Sequence, residues 1–253
     1  MELKQHFAHI KVSTRTIQRA ISGNPFFKRC RTKRKPKTSP SIRRMRLGFA
    51  RCFLKTPKRF ARKILFSDES PMPFKFCPKR TILKNLEDPH NPEYIDPTVK
   101  HEKRVMVWGC FSYNGVGKLT QVKGLMDAKQ YKQILIHHAF PSGKQLFGTN
   151  TWYFQHDNDP KHTSKIVQTY LDRKDTSVLK WPPYSPDLNP IENLWHLMKK
   201  RIEKRDGKTE EEFLQELQTI WKSIPAQTLQ NLIDSMRNRC EEVIKAKGYP
   251  TRY

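Results

Sequence analysis

KILFSDES, residues 63–70, is the stretch on which the fold turns: Ile64, Leu65 and Phe66 run without a break into Ser67, Asp68 and Glu69. An apolar run this short, with no polar alternation, reads as a strand buried on both faces. A carboxylate at the tip of such a strand is well placed to meet a ligand, because the strand core fixes the backbone while the tip stays accessible. A plainer reading also fits, in which Asp68 ends the strand in a turn between Ser67 and Ser70.

Working outward from it, RVMVWGCFSYNG (104–115) predicts a strand rich in Val and aromatics that closes on an Asn-Gly turn, with KLTQVKG (118–124) as its partner. TWYFQHD (151–157) predicts another short aromatic strand running into an acid, and VLKWP (178–182) a last one. Helices are expected over 127–147, 163–173, 190–204 and 210–223, the last capped by Thr209 with Glu212 three residues on. Another is expected over 226–247, stopped by Gly248. Before the first strand, Ile42, Met45, Phe49, Cys52 and Phe53 stand at helical spacing, with Arg or Lys elsewhere. Strands first, then alternating helix and strand, then helices, imply a mixed sheet flanked by helices, of α/β or α+β type.

Charge narrows the partners. Lys and Arg number 49 against 24 acids, a net +25. Residues 1–63 hold 20 of the bases and one acid, Glu2. So lopsided a balance is the electrostatic footprint of a polyanion binder, since surfaces built only for solubility mix both signs. KRCRTKRKPKTSP (28–40) is basic, Pro-containing and nearly free of apolar residues, which reads as a linker. Its Arg31, Lys33, Arg34, Lys35 and Lys37 suit a phosphate-tracking arm or a nuclear-import signal. Ahead of it, Ser13 caps a short predicted helix that Gly23, Asn24 and Pro25 stop. No run approaches the length of a membrane span, and the start lacks the apolar core of a secretory signal. Cys30, Cys52, Cys77, Cys110 and Cys240 form no CxxC pair, so neither a zinc ribbon nor a disulfide framework is supported.

Three acids stand out, each with two readings. Asp68 and Asp157 end apolar strands, and Glu192 opens a helix in WPPYSPDLNPIENLW (181–195). Carboxylate oxygens suit hard Mg²⁺, and a pair of such ions serves phosphoryl transfer. Against this, Asp157 lies in Asp-Asn-Asp-Pro, a good turn sequence, with Asp159 beside it as an alternative ligand. Asn189, Pro190 and Glu192 fit the N-cap, N1 and N3 positions of a capping box. Ile191, Leu194, Trp195, Met198 and Ile202 form the apolar stripe of that helix, leaving Glu192, His196 and Lys199 on a polar face. His162 reads more readily as a local structural group than as a neighbour of a metal or a phosphate.

FSDES, VMVWGCFSYNGVG, QHDNDPKHTS and WPPYSPDLNPIENLW occur in the order and approximate spacing of the Tc/mariner superfamily of transposases. The 34 residues between Asp157 and Glu192 resemble the DD34E branch. The resemblance spans roughly residues 28–250. It implies an α/β, RNase H-like fold: a mixed five-stranded sheet flanked by helices, with a short helical and basic segment at its N-terminal side. Asp68, Asp157 and Glu192 would then be catalytic and would bind two Mg²⁺ or Mn²⁺ ions. The implied reaction is nicking of transposon ends in double-stranded DNA, then attack of the freed 3′-OH on a TA target. A homodimer and a nuclear location go with it. The implied divisions are a remnant helix-turn-helix unit (1–27), a basic linker and helix (28–62), the catalytic domain (63–205) and a C-terminal helical segment (206–253).

The chain departs from that pattern in three places. Only residues 8–27 resemble the tail of the second of the family's two helix-turn-helix units, with VSTRTIQRAIS like its recognition helix. Thr14, Arg15, Thr16 and Arg19 are therefore expected to meet DNA mostly through phosphate, without strong sequence preference. Pro71 and Pro73 follow FSDES where the family continues into a paired strand, which predicts delayed or kinked pairing there. His156 stands where glutamine is commoner. A non-enzymatic DNA-binding protein derived from a transposase is the competing class, and retention of all three acids favours the enzyme.

Overall fold

The computed structural model describes residues 38–74, 104–174, 177–202 and 209–253, and from the N-terminal segment only Ser13, Arg15, Thr16 and Arg19. Residues 1–36 and 37–253 form separate compact units. In the second unit the strands are β1 (Ile64–Pro73), β2 (Arg104–Ser112), β3 (Gly115–Val122), β4 (Tyr153–Gln155) and β5 (Ser177–Val178). They lie in the order β3-β2-β1-β4-β5, antiparallel from β3 to β1 and parallel from β1 to β5.

The unbroken apolar run at β1 does what its pattern implies. Ile64 and Phe66 face one core while Leu65 faces another, and all three are fully buried. On the Leu65 face lie α2 (Ala128–Ile134), a π turn (Leu135–Ala139), α3 (Phe140–Phe147) and α4 (Lys165–Leu171). The π turn coincides with Pro141, which cannot donate to the carbonyl of His137; Lys118 Nζ donates to that oxygen instead, at 3.1 Å. On the Phe66 face lie α1 (Pro40–Lys55), α5 (Ile191–Arg201), α6 (Glu210–Lys222), α7 (Ala226–Asp234) and α8 (Met236–Lys245). The expected capping box of Thr209 and Glu212 opens α6.

Four expectations need correction. Pro71 and Pro73 do not interrupt pairing: the β1–β2 ladder continues through Pro73 opposite Arg104. Two residues apart, both prolines turn their missing N–H to the same side, and β4 pairs with β1 only as far as Phe66, so no donor is needed there. The last strand is two residues long, with Leu179 N donating to Phe154 O just beyond it. The helix expected over 226–247 divides at Ser235, whose hydroxyl bonds the carbonyl of Leu232 at 2.6 Å. The second part ends at Lys245, short of the expected 247: Ala246 caps it, Lys247 takes the left-handed conformation at φ 51°, and Gly248, at φ 81°, follows and donates back to the carbonyl of Val243 at 2.9 Å.

The fourth correction concerns α1. Met45 and Cys52, expected in its apolar stripe, are exposed, while Arg46 is fully buried. Arg46 donates bidentately to Asp187, at 2.8 and 2.7 Å, and also to Ser185 Oγ and the carbonyl of Gly248. Asp187 accepts further bonds from Thr251 N and Oγ1, and Arg239 donates to its carbonyl. Burial alone would raise the Asp187 carboxyl, but Arg46 and Thr251 hold it below its ordinary value. Removing either partner strands a buried charge. Asp187→Ala is expected to cost about 3–5 kcal/mol of folding stability, read from urea unfolding; a loss under 1 kcal/mol would show the pair to be dispensable.

Candidate active site

Strand register brings the first two acids together. β1 and β4 are parallel neighbours paired Phe66 to Gln155, so Asp68 and Asp157 each lie two residues beyond the last shared rung. Neighbouring strands run about 4.8 Å apart. The tips are further tied: Ser67 Oγ donates to Gln155 O at 2.8 Å, and Ser67 N to Gln155 Oε1 at 3.2 Å. Asn158 Nδ2 reaches the carbonyl of Trp181 at 2.8 Å, fastening the loop that leads toward α5.

The third acid arrives by a separate hook. Asn189 Nδ2 donates to the carbonyl of Ser67, adjacent to Asp68, at 3.2 Å. Its Oδ1 accepts from Ile191 N at 3.3 Å, steadying the first turn of α5. Glu192 does not close a capping box; its carboxyl lies near enough to that of Asp68 for each to shift the other. The predicted stripe of α5 is core, and Glu192 stands clear of it on the exposed side.

Charge in the pocket is unbalanced. Burial, then Glu192 and Glu69, push the Asp68 carboxyl well above its ordinary value. Burial also raises Glu192, against the pull of Lys199, which donates to Ser70 Oγ at 2.9 Å. Asp157 differs: burial would raise it, but His162 and the N–H of Asp159 hold it below the usual carboxylate range. Asp159 itself pairs with Lys161 at 2.6 Å. Among the described residues, no three His, Cys, Asp or Glu side chains close up into a ready-made metal cage.

His162 is not the local group that the sequence suggested. Its Nδ1 lies 2.6 Å from Asp157 Oδ1 and its Nε2 3.1 Å from Glu69 Oε1, while its ring stacks on Tyr131 at 3.8 Å. Burial works against a proton on this ring, yet the two carboxylates outweigh it and carry His162 up to about 9. His156, buried beside it, is pushed down to about 4, so it is neutral and can accept from the Tyr131 hydroxyl at 3.0 Å. Glu69 and Tyr131 were not foreseen; the signal for Glu69 was its place one residue after Asp68.

In the N-terminal unit, Arg15, Thr16 and Arg19 are exposed, and Thr16 N donates to Ser13 Oγ at 3.2 Å as the capping expectation requires. Thr14, Arg31, Lys33, Arg34, Lys35 and Lys37 lie outside the described residues.

Known proteins resemble this chain in sequence and in fold. Residues 63–214 match the family of DDE superfamily endonucleases. The chain is 38% identical over 243 residues to the transposable element Tcb1 transposase of Caenorhabditis briggsae, covering 95% of this chain and 88% of that one. The Tc1 transposase of Caenorhabditis elegans is 36% identical at the same coverage. A Mos1 mariner paired end complex with Mn gives a TM-score of 0.81 at 21% identity, over 98% of this chain and 75% of that one. The catalytic domain of Mos1 mariner transposase gives 0.67 at 19% identity, over 87% and 100%. At those identities the likeness bears on the fold, which is RNase H-like. The chain thus belongs to the DDE superfamily endonucleases. Within that class it is a DNA transposase of the Tc/mariner superfamily.

The raised His162 gives a pH test. Because the folded value of about 9 exceeds the unfolded value, near 6.5, its proton stabilises the fold fully below about pH 6.5 and that contribution is lost as pH rises through about 9. In metal-free protein, the difference in thermal midpoint between wild type and His162→Asn should narrow over that window. A difference that stays constant from pH 6 to 10 would mean that the fold does not raise the ring above its unfolded value.

Proposed function

We propose that Asp68, Asp157 and Glu192 are the catalytic carboxylates and hold two Mg²⁺ or Mn²⁺ ions for cleavage and strand transfer of double-stranded DNA. The observation that carries this is the convergence of three elements on one pocket: the tips of β1 and β4 and the first turn of α5. The donor set fits a hard divalent cation, since its oxygens are carboxylates, burial raises both Asp68 and Glu192, and Asp68 is raised further by the charges of Glu192 and Glu69. Bound divalent ions would supply Lewis acidity to the attacking and leaving oxygens of the phosphodiester.

The protein's own part is positioning. His162 and the N–H of Asp159 both hold Asp157 through Oδ1, and Oδ2 has no hydrogen-bond partner among the described residues. Glu69 and the Tyr131 ring hold His162 in turn. Asn189 fixes where α5 begins and so where Glu192 stands, and Lys199 tempers the charge of the Asp68–Glu192 pair. The two relatives and the Mos1 assemblies are transposases, and the latter include paired end complexes. By that likeness the DNA is transposon ends and a TA target, the working form is a homodimer and the location is the nucleus, with the basic run at 28–40 suited to import.

With Mg²⁺ or Mn²⁺, the purified chain should nick supercoiled plasmid. Asp157→Asn should reduce the rate by more than the roughly 10–100-fold that is usual for groups that merely orient a metal ligand, whereas His162→Asn should fall within that range. Equal nicking by wild type and Asp157→Asn would overturn the assignment.

A further inference from the structure

Helix α1 is capped by Ser39, whose side chain accepts from Ile42 N, and opens on Pro40, but in charge and in its middle it is poorly built for its own stability. Its first turn holds Arg43 and no acid, which sets positive charge against the positive end of the helix dipole. No Asp or Glu occurs between Glu2 and Asp68, so none of its bases has an acidic partner one turn away. Gly48 sits exposed in its middle, where almost any other residue would favour the helix. A Cβ at Gly48 would meet nothing within 4 Å, so no packing among the described residues requires glycine there.

Three other bases of the helix and Gly48 fall on one line. At about 100° per residue, Arg44, Arg51 and Lys55 project within about 40° of one another, with Gly48 close beside that meridian. All three bases are exposed, and none makes a hydrogen bond or ion pair among the described residues. From Arg44 to Lys55 the stripe runs about 16 Å at the helical rise, about five nucleotides of one B-form strand at about 3.4 Å each. Lys55, in the last turn, suits the helix dipole, but Arg44 and Arg51 without acidic partners and an exposed mid-helix Gly48 break local rules together, which marks a surface shaped by something other than folding.

We propose that Arg44, Gly48, Arg51 and Lys55 form a contact for the phosphate backbone of duplex DNA, with Gly48 letting one sugar–phosphate strand lie against the helix. The proposal rests on the transposase reading and adds to it a surface on the catalytic unit itself. Phosphate would neutralise the unpaired bases. Such a contact positions DNA without reading its sequence.

The test is binding of a labelled duplex of arbitrary sequence to the full chain in EDTA across a NaCl series, with thermal midpoints measured alongside. The triple variant Arg44→Ala, Arg51→Ala, Lys55→Ala should reduce the slope of log K against log salt by about 2–3, at about 0.9 per lost phosphate contact. Lys123→Ala, Lys129→Ala, Lys222→Ala removes equal charge from other exposed positions and should leave the slope nearly unchanged. Gly48→Gln should raise the thermal midpoint and weaken binding several-fold. Equal slopes for the two triple variants would overturn the surface, and unaltered affinity in Gly48→Gln would overturn the close approach. Should the stripe variant unfold, Gly48→Gln decides alone. A wild type that binds no duplex even at low salt would instead sink DNA binding as such.

Discussion

The buried pair of Arg46 and Asp187 is the constraint from which the placement of the site follows. A guanidinium and a carboxylate taken out of water cannot be left unpaired, so the segments that carry them have one way to meet. The pair joins α1, the loop before α5 and the chain end at Gly248 to Thr251. Two residues after Asp187, Asn189 bonds the carbonyl beside Asp68, and three residues later Glu192 reaches the pocket. An apolar replacement could match its stability, but a hydrophobic contact has no direction. The fork of hydrogen bonds sets the loop to within a rotamer, and Glu192 inherits that setting.

Much of this was legible in the sequence, and the reason is local. The run from Ile64 to Phe66 needs no partner to declare itself a two-faced strand, and acids two residues past the paired rungs of parallel neighbours end side by side. The apolar stripe of α5 and the capping box at Thr209 depend likewise on spacing alone. What was illegible depends on partners far along the chain. Arg46 looks like its neighbours Arg43 and Arg44 until Asp187, 141 residues on, selects it. His162 looked structural because its second carboxylate, Glu69, lies 93 residues away. For Glu192 the capping pattern and the site pattern were the same residues, and only the Asn189 hook separates them. Pro71 and Pro73 misled because a missing donor matters only on the side where a strand is paired.

The charge of the chain poses a problem that the site alone does not solve. Phosphate is repelled by carboxylate, and the pocket holds Asp68, Glu192, Asp157 and Glu69 together. The surrounding excess of Lys and Arg attracts a polyanion, but exposed charges act only within about 8 Å at physiological salt. Attraction at a distance therefore cannot cancel repulsion at contact. Bases bring the strand to the surface; at the acids themselves, only a cation bound between carboxylate and phosphate can make the approach favourable. His162 cannot take that place, because both of its nitrogens are engaged by Asp157 and Glu69. Nor can Lys199, which is turned to Ser70. The side chains nearest the acids are committed to holding them in position, so if Asp68, Asp157 and Glu192 are the catalytic carboxylates proposed above, neutralisation at the reacting phosphate would fall to a diffusible ion, and a basic chain would have reason to keep an acidic site.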